Sequence, residues 1–267
     1  MSFSEISSGS EQKPLPVHKQ IILGNVSVSI PWSDAERELL FMQSASRVNF
    51  SDPSDDETLG IEKLNSRITS ILRWLSPILE KLPEEATIVD IGAGNSLIDI
   101  IINLKYPKKK FKFILVDSAY ILPDVTNSKF YQDDYGTYND WSFLLNAIEL
   151  NNMSMSSFVT KEPDEIWSDT SVDLVFSIAS WCWHYPIDKY LDKVDSLVKQ
   201  GGYLHINAVL NIGRAFFKLT KCFKPIYLKT NKFVPARSEV ENSRSLEIME
   251  QYNINPNYFS FIFTGQK

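Results

Sequence analysis

Apolar residues recur at two different spacings along this chain, and the change of spacing divides it. From Thr58 to Leu75, the residues Leu59, Ile61, Leu64, Ile68, Ile71, Leu72 and Leu75 fall at helical intervals, so one face of a helix is buried there. Pro77 interrupts the pattern and Pro83 stops it, because proline has no N–H for a helix interior. Ahead of it, Ser33 to Val48 predicts a helix capped by Ser33, with Asp34 and Glu36 in the first turn and Leu39, Leu40 and Met42 on its apolar side. The polar, acidic stretch from Ser51 to Glu57 is a loop between the two.

Beyond Pro83 short apolar runs alternate with amphipathic segments. The pattern predicts strands at 87–91, 111–116, 157–161, 172–178 and 202–208, and helices at 96–105, about 138–150 and 187–199. A helix near 243–251 and a final strand from Tyr258 to Phe263, closing the sheet at its edge, complete the chain. Strands alternating with helices build a parallel sheet covered on both faces. The expected architecture is therefore α/β, a doubly wound, mostly parallel sheet with an N-terminal helical cap. Three regions follow: a tail at 1–16 too poor in apolar groups to offset the entropy of ordering, a helical cap at 17–84, and the sheet domain at 85–267.

The 267 residues carry 43% apolar content, enough for one large core. A net charge of −6 disfavours a general polyanion binder, although the charge is uneven. Pro31 to Glu62 holds 8 acids and 2 bases, whereas Arg214 to Arg237 holds 7 bases and no acid. The cysteines Cys182 and Cys222 offer neither a disulfide framework nor metal-ligand spacing, which fits a reduced, cytoplasmic setting. No secretory leader pattern is present at Met1 to Gln20, and no apolar run reaches the roughly 18 residues that a membrane span needs.

The segment Thr87-Ile88-Val89-Asp90-Ile91-Gly92-Ala93-Gly94-Asn95-Ser96 carries the chemistry: a β-branched strand ends in an acid and a two-glycine turn, with a helix following at once. Glycine lets a turn tighten and brings main-chain N–H groups against a ligand, and Ser96 is placed to cap the helix. The next strand ends in Asp117, 27 residues after Asp90, where an acid can accept both hydroxyls of a ribose. A dinucleotide fingerprint requires a third glycine, G-x-G-x-x-G, and Leu97 stands in its place.

The Asp-x-Gly-x-Gly pattern resembles the first motif of class I S-adenosylmethionine-dependent methyltransferases, with Ser96 where that family often has another glycine. The resemblance extends in the same order of elements over roughly residues 85–267. Asp173-Leu174-Val175-Phe176-Ser177 resembles the family's fourth strand, and Val198-Lys199-Gln200-Gly201-Gly202-Tyr203-Leu204 the turn into its fifth, with Gln200 in place of the usual proline. The resemblance implies a seven-stranded Rossmann-like methyltransferase fold and S-adenosylmethionine as cofactor. It places Asp90, Gly92, Ala93, Gly94, Asp117, Ser118 and Ser177 in the cofactor site, with Glu162, or Asp164 beside it, at the adenine.

Just after the fourth strand, Ser180-Trp181-Cys182-Trp183-His184-Tyr185-Pro186 gathers three aromatics around a histidine. Flat rings stack on sugar faces and heteroaromatics, so Trp181, Trp183 and Tyr185 are candidate acceptor walls. The segment resembles the His-Tyr-Pro stretch of a sugar O-methyltransferase group. A hydroxyl attacks a methyl group only as its proton leaves, and an imidazole titrating near neutrality can take it, so His184 is the candidate base. His18 and His205 are not preferred, one in the start of the chain and the other in a buried strand.

The expected partner is a small-molecule or glycan acceptor, anionic if the basic aromatic stretch steers it. That stretch comprises Arg214, Lys218, Lys221, Lys224, Lys229, Lys232 and Arg237 among aromatic residues. Two other readings stay open: an RNA methyltransferase using the stretch, against which stands the lack of an Asn-Pro-Pro-Tyr-type motif, and a non-catalytic binding protein of the same fold. No metal set stands out, although Asp133, Asp134, Asp140 and Asn207 offer oxygen ligands.

Overall fold

Strands buried on both faces read as near-continuous apolar runs, and Thr87–Ile91 and Val172–Ser177, interrupted only by a few buried polar side chains, form the centre of the sheet. The computed structural model describes residues 16–34, 57–117, 141–162, 165, 171–178, 180–181, 187–208, 212–231 and 260–267. The expected helix at 33–48, apart from its first two residues, and the one near 243–251 lie outside them.

In chain order the elements are β1 (His18–Leu23), β2 (Val26–Pro31), α1 (Glu57–Leu79), β3 (Thr87–Ile91), α2 (Leu97–Lys105), β4 (Lys112–Val116), α3 (Trp141–Leu150), β5 (Phe158–Lys161), β6 (Val172–Ser177), α4 (Leu191–Leu197), β7 (Val198–Ala208), α5 (Ile212–Cys222), β8 (Lys224–Asn231) and β9 (Ser260–Gln266). Seven strands make one sheet in the order β5-β4-β3-β6-β7-β9-β8. The first five run parallel, and β9 inserts antiparallel between β7 and β8. The order reverses beside β3, so the C-terminal ends of β3 and β4 open on one crevice. Among the described residues, no helix is long and apolar enough to cross a membrane.

Each face of the sheet has its own core. Ile88, Phe113, Phe158, Leu174 and Phe176 point to one face and pack with α1, α2 and α3; Phe113 and Phe158 stack at 5.2 Å. Val89, Ile91, Ile114, Val116, Val175, Leu204 and Ile206 point to the other, where Val194 of α4 and Ala215 and Leu219 of α5 cover them. By the two-residue period of a strand, Asp90 shares the face of Ile88 and looks at α2.

Three expectations change. The N-terminal cap is not wholly helical: β1 and β2 form an antiparallel hairpin, turned by Gly24 and Asn25, both at positive φ, as a two-residue hairpin turn requires. The hairpin is held to the helices, since Asn65 of α1 accepts from the Gly24 amide at 2.8 Å and Asn151 accepts from the Ser29 amide at 2.9 Å. His18 therefore begins a strand. The last strand is internal and β8 takes the edge, where Pro225, opposite Gly265 at a register shift, is tolerated without an N–H. Finally, the 187–199 helix is shorter than its pattern: a 3-10 turn covers Ile187–Lys189, α4 ends at Leu197, and β7 starts immediately with Gly201 at φ 82 inside it.

Candidate active site

Every second residue of the turn after β3 is left-handed: Gly92 at φ 78, Gly94 at φ 56 and Ser96 at φ 59. The Gly92 amide donates to the Val116 carbonyl at 2.7 Å, and the Ala93 amide to the same oxygen at 3.4 Å, which ties the turn to the end of β4. The Gly94 amide donates to Asp117 Oδ2 at 2.7 Å. The acid expected for ribose thus sits against the turn itself, while the Asp117 amide donates to Lys161 of β5 at 3.1 Å.

Ser96 precedes α2 but does not cap it. Its side chain makes no capping bond, and its buried hydroxyl has no partner among the described residues. Asn95 does the nearer work, its Oδ1 accepting from the Leu97 amide at 3.2 Å. A non-glycine residue in the left-handed region costs about 1 kcal/mol. Ser96→Gly is therefore expected to raise stability by about 1 kcal/mol in denaturant unfolding, the glycine's chain-entropy cost being offset by losing a buried, unpartnered hydroxyl. A lower stability in the variant would show that the Ser96 hydroxyl is bonded.

Asp90 is 2% exposed, behind the turn rather than open to it, and faces Asp99 of α2, itself 0% exposed. Burial first, then the Asp99 carboxyl and then Asp117, raise the Asp90 carboxyl well above the usual range. Burial pushes Asp99 up to about 8, against the lowering effect of its hydrogen bond with Asp90. Sequence pattern missed Asp99, since an acid in a helix's first turn is ordinary.

Ser177 closes the floor of the crevice. Its hydroxyl donates to the Ile91 carbonyl at 2.7 Å and accepts from the Trp181 amide at 3.0 Å, joining the ends of β3 and β6. Fully buried and bonded in this way, Ser177 shapes the site instead of facing a ligand. Trp181 also departs from expectation. It has 0% exposure, its indole N–H donates to the Ile187 carbonyl at 3.2 Å, and its ring meets Tyr190 edge-on at 5.8 Å, so it is core and cannot present a face to an acceptor.

Ser180 is the residue that the pattern did not single out. A Cβ on Gly92 would fall 1.9 Å from Ser180 Oγ, so the segment after β6 crosses directly over the turn. Glu162 stands exposed at the end of β5, its amide donating to Glu165 Oε2 at 3.0 Å. Ser118, Asp164, Trp183, His184 and Tyr185 lie outside the described residues, as do Asp133, Asp134 and Asp140. Among the described residues no three His, Cys, Asp or Glu side chains are grouped to hold a metal ion.

His205 lies in β7 on the face of Asp90, buried, with Nδ1 2.9 Å from Thr264 Oγ1. Burial lowers it to about 4, so it is neutral at pH 7. In the basic stretch, Lys218 pairs with Asp188, and Lys221 lies 4.2 Å over the Phe217 ring. These two bases are engaged within the protein.

No protein-family model matches the chain. No curated protein matches it either. Among solved structures, a geranyl diphosphate methyltransferase in complex with GPP and sinefungin is similar with a TM-score of 0.50 and 10% identity, over 83% of this chain and 86% of that one. Geranyl diphosphate C-methyltransferase from Streptomyces coelicolor A3(2) gives 0.49 and 10% over 88% and 99%. Precorrin-6y C5,15-methyltransferase from Geobacter metallireducens GS-15 gives 0.43 and 16% over 72% and 86%. The chain has the Rossmann-like methyltransferase fold, with a seven-stranded, mostly parallel sheet between layers of helices.

Proposed function

We propose that this protein is an S-adenosylmethionine-dependent methyltransferase whose cofactor lies on the Gly92–Gly94 turn. The observation that carries the reading is the bond from the Gly94 amide to Asp117. A glycine turn that binds pyrophosphate offers bare N–H groups to an anion. Here a carboxylate already occupies the Gly94 amide, and Asp90 and Asp99 lie behind it, so the turn repels a diphosphate and suits a ligand carrying positive charge.

S-adenosylmethionine supplies an electrophilic methyl group on a positively charged sulfur. Asp117 is assigned to the ribose hydroxyls, Ala93 and Gly94 to the backbone wall of the site, Ser118 to its edge, and Glu162 to the adenine side. The acceptor is a hydroxyl of a sugar, glycan or related small molecule. His184 takes the hydroxyl proton as the new bond forms, and Trp183 and Tyr185 hold the acceptor. Support for the acceptor assignment is the aromatic, histidine-bearing segment at 180–186, which follows the strand whose end closes the crevice.

Asp117→Ala is expected to weaken S-adenosylmethionine binding about 100-fold by calorimetry, since charge-assisted bonds of about 1.5–3 kcal/mol are lost. His184→Ala should leave that binding intact and lower methyl transfer to a cell-extract acceptor by about 100-fold or more. Full turnover in the second variant removes His184 from the chemistry, and wild-type protein that does not bind S-adenosylmethionine refutes the reading altogether.

A further inference from the structure

Two carboxyl groups face one another where water does not reach. Asp90 leaves β3 towards α2, Asp99 leaves the first turn of α2 towards β3, both are buried, and each carboxyl acts on the other at close range. Neither Asp90 Oδ1 nor either Asp99 oxygen has a protein donor among the described residues. Two carboxylates both accept and cannot bond to each other. A hydrogen bond between the two therefore requires a proton that the pair itself holds.

The surroundings keep that proton in place. From β4, Asp117 adds a third acid beside the turn, and from β6, Phe176 stands in register with Asp90. One strand further, on β7, the neutral His205 is in register with Phe176. From α1 and α3, the core on this face receives Leu72, Leu75, Phe143 and Leu144, which are apolar. Nothing in that set solvates a second negative charge, so at neutral pH the pair carries at least one proton.

We propose that Asp99 is a positioning residue of the cofactor site: it shares a proton with Asp90 behind the glycine turn, and the cationic methyl donor expels that proton to solvent when it binds. The proposal rests on the reading of the turn as an S-adenosylmethionine site. A positive ligand at the turn stabilises the ionised pair and so substitutes for the proton. One proton leaves the pair, one cationic ligand arrives, and no covalent bond changes.

The test is calorimetry of the full chain with S-adenosylmethionine from pH 6 to 8.5, in buffers of differing ionisation enthalpy, on wild type and Asp99→Asn. The donor's own amino group titrates for both proteins, so the difference between them isolates the pair. Wild type is expected to release up to one proton more than the variant near pH 7, and its affinity to gain up to 10-fold more per pH unit below about pH 8. Equal proton release overturns the proposal while leaving the cofactor reading intact; absence of binding at every pH overturns both.

A second measurement needs no variant. Infrared difference spectra of wild type should lose a protonated-carboxyl band when S-adenosylmethionine is added, and an unchanged band overturns the proposal. The same pair makes the stability of the ligand-free protein depend on pH. A carboxyl raised by folding favours the folded state when protonated, so its stabilisation is complete below about pH 4 and fades as pH rises towards 8. Wild-type Tm is thus expected to fall between pH 6 and 8.5 more steeply than that of Asp99→Asn.

Discussion

Gly92→Ala is expected to cost about 3 kcal/mol of stability and to abolish S-adenosylmethionine binding, because two penalties coincide at one atom. The backbone there is at φ 78, where a side chain costs about 1–2 kcal/mol. The added methyl would also stand 2.0 Å from Ser180 Cβ and 1.9 Å from its Oγ, whereas nonbonded carbons rest at about 3.5–4.0 Å. Neither side yields cheaply. Ser180 precedes Trp181, whose amide is bonded to Ser177 and whose indole is bonded to Ile187. The turn is fastened in its own way, Gly92 to Val116 and Gly94 to Asp117, so retreat of the turn breaks the bonds that shape the proposed cofactor site.

The double variant Gly92→Ala/Ser180→Gly separates the two penalties. Removing the Ser180 side chain relieves the collision and leaves the backbone strain. Denaturant unfolding of the four proteins is expected to give a coupling of about 1–2 kcal/mol, the range for residues in direct contact. A coupling near zero would mean that the segment after β6 does not press on the turn. Cofactor binding should return only in part, because an alanine at φ 78 still tilts the neighbouring amides.

Trp181→Ala is expected to destabilise the protein by about 3–5 kcal/mol, the usual cost of emptying a large buried aromatic site. Its indole is enclosed, in edge contact with Tyr190, and its N–H satisfies the Ile187 carbonyl at the start of the turn that leads into α4. Trp181→Phe keeps most of the volume and loses that bond, and should cost about 1–2 kcal/mol. Chemical unfolding monitored by circular dichroism reads both. If Trp181→Ala were as stable as wild type yet failed to use the acceptor, the ring would be a wall of the acceptor site after all.

The alternation of strand and helix from Thr87 to Ala208 was legible because the central strands are buried on both faces and the helices on one, so local pattern and tertiary environment coincide. The glycine turn was legible for a related reason, since left-handed backbone selects glycine locally at 92 and 94. The hairpin was not, although Val26-Ser27-Val28-Ser29-Ile30 alternates and Gly24-Asn25 is a turn signal. Its apolar side is covered by helices distant in sequence, and a helical pattern adjoining it made a single helical cap the simpler reading.

By itself, the sequence determined the class of fold, the place of the crevice and the pairing of a glycine turn with an acid at the end of the next strand. Each follows from short-range rules of periodicity and backbone freedom. Only the tertiary structure decided that Asp117 closes on Gly94, that Ser180 covers Gly92, that Ser177 and Trp181 are buried supports, and that Asp90 meets Asp99 out of water. These are contacts between elements, and their chemistry depends on which faces meet and how much solvent remains, neither of which the order of residues along one strand or helix contains.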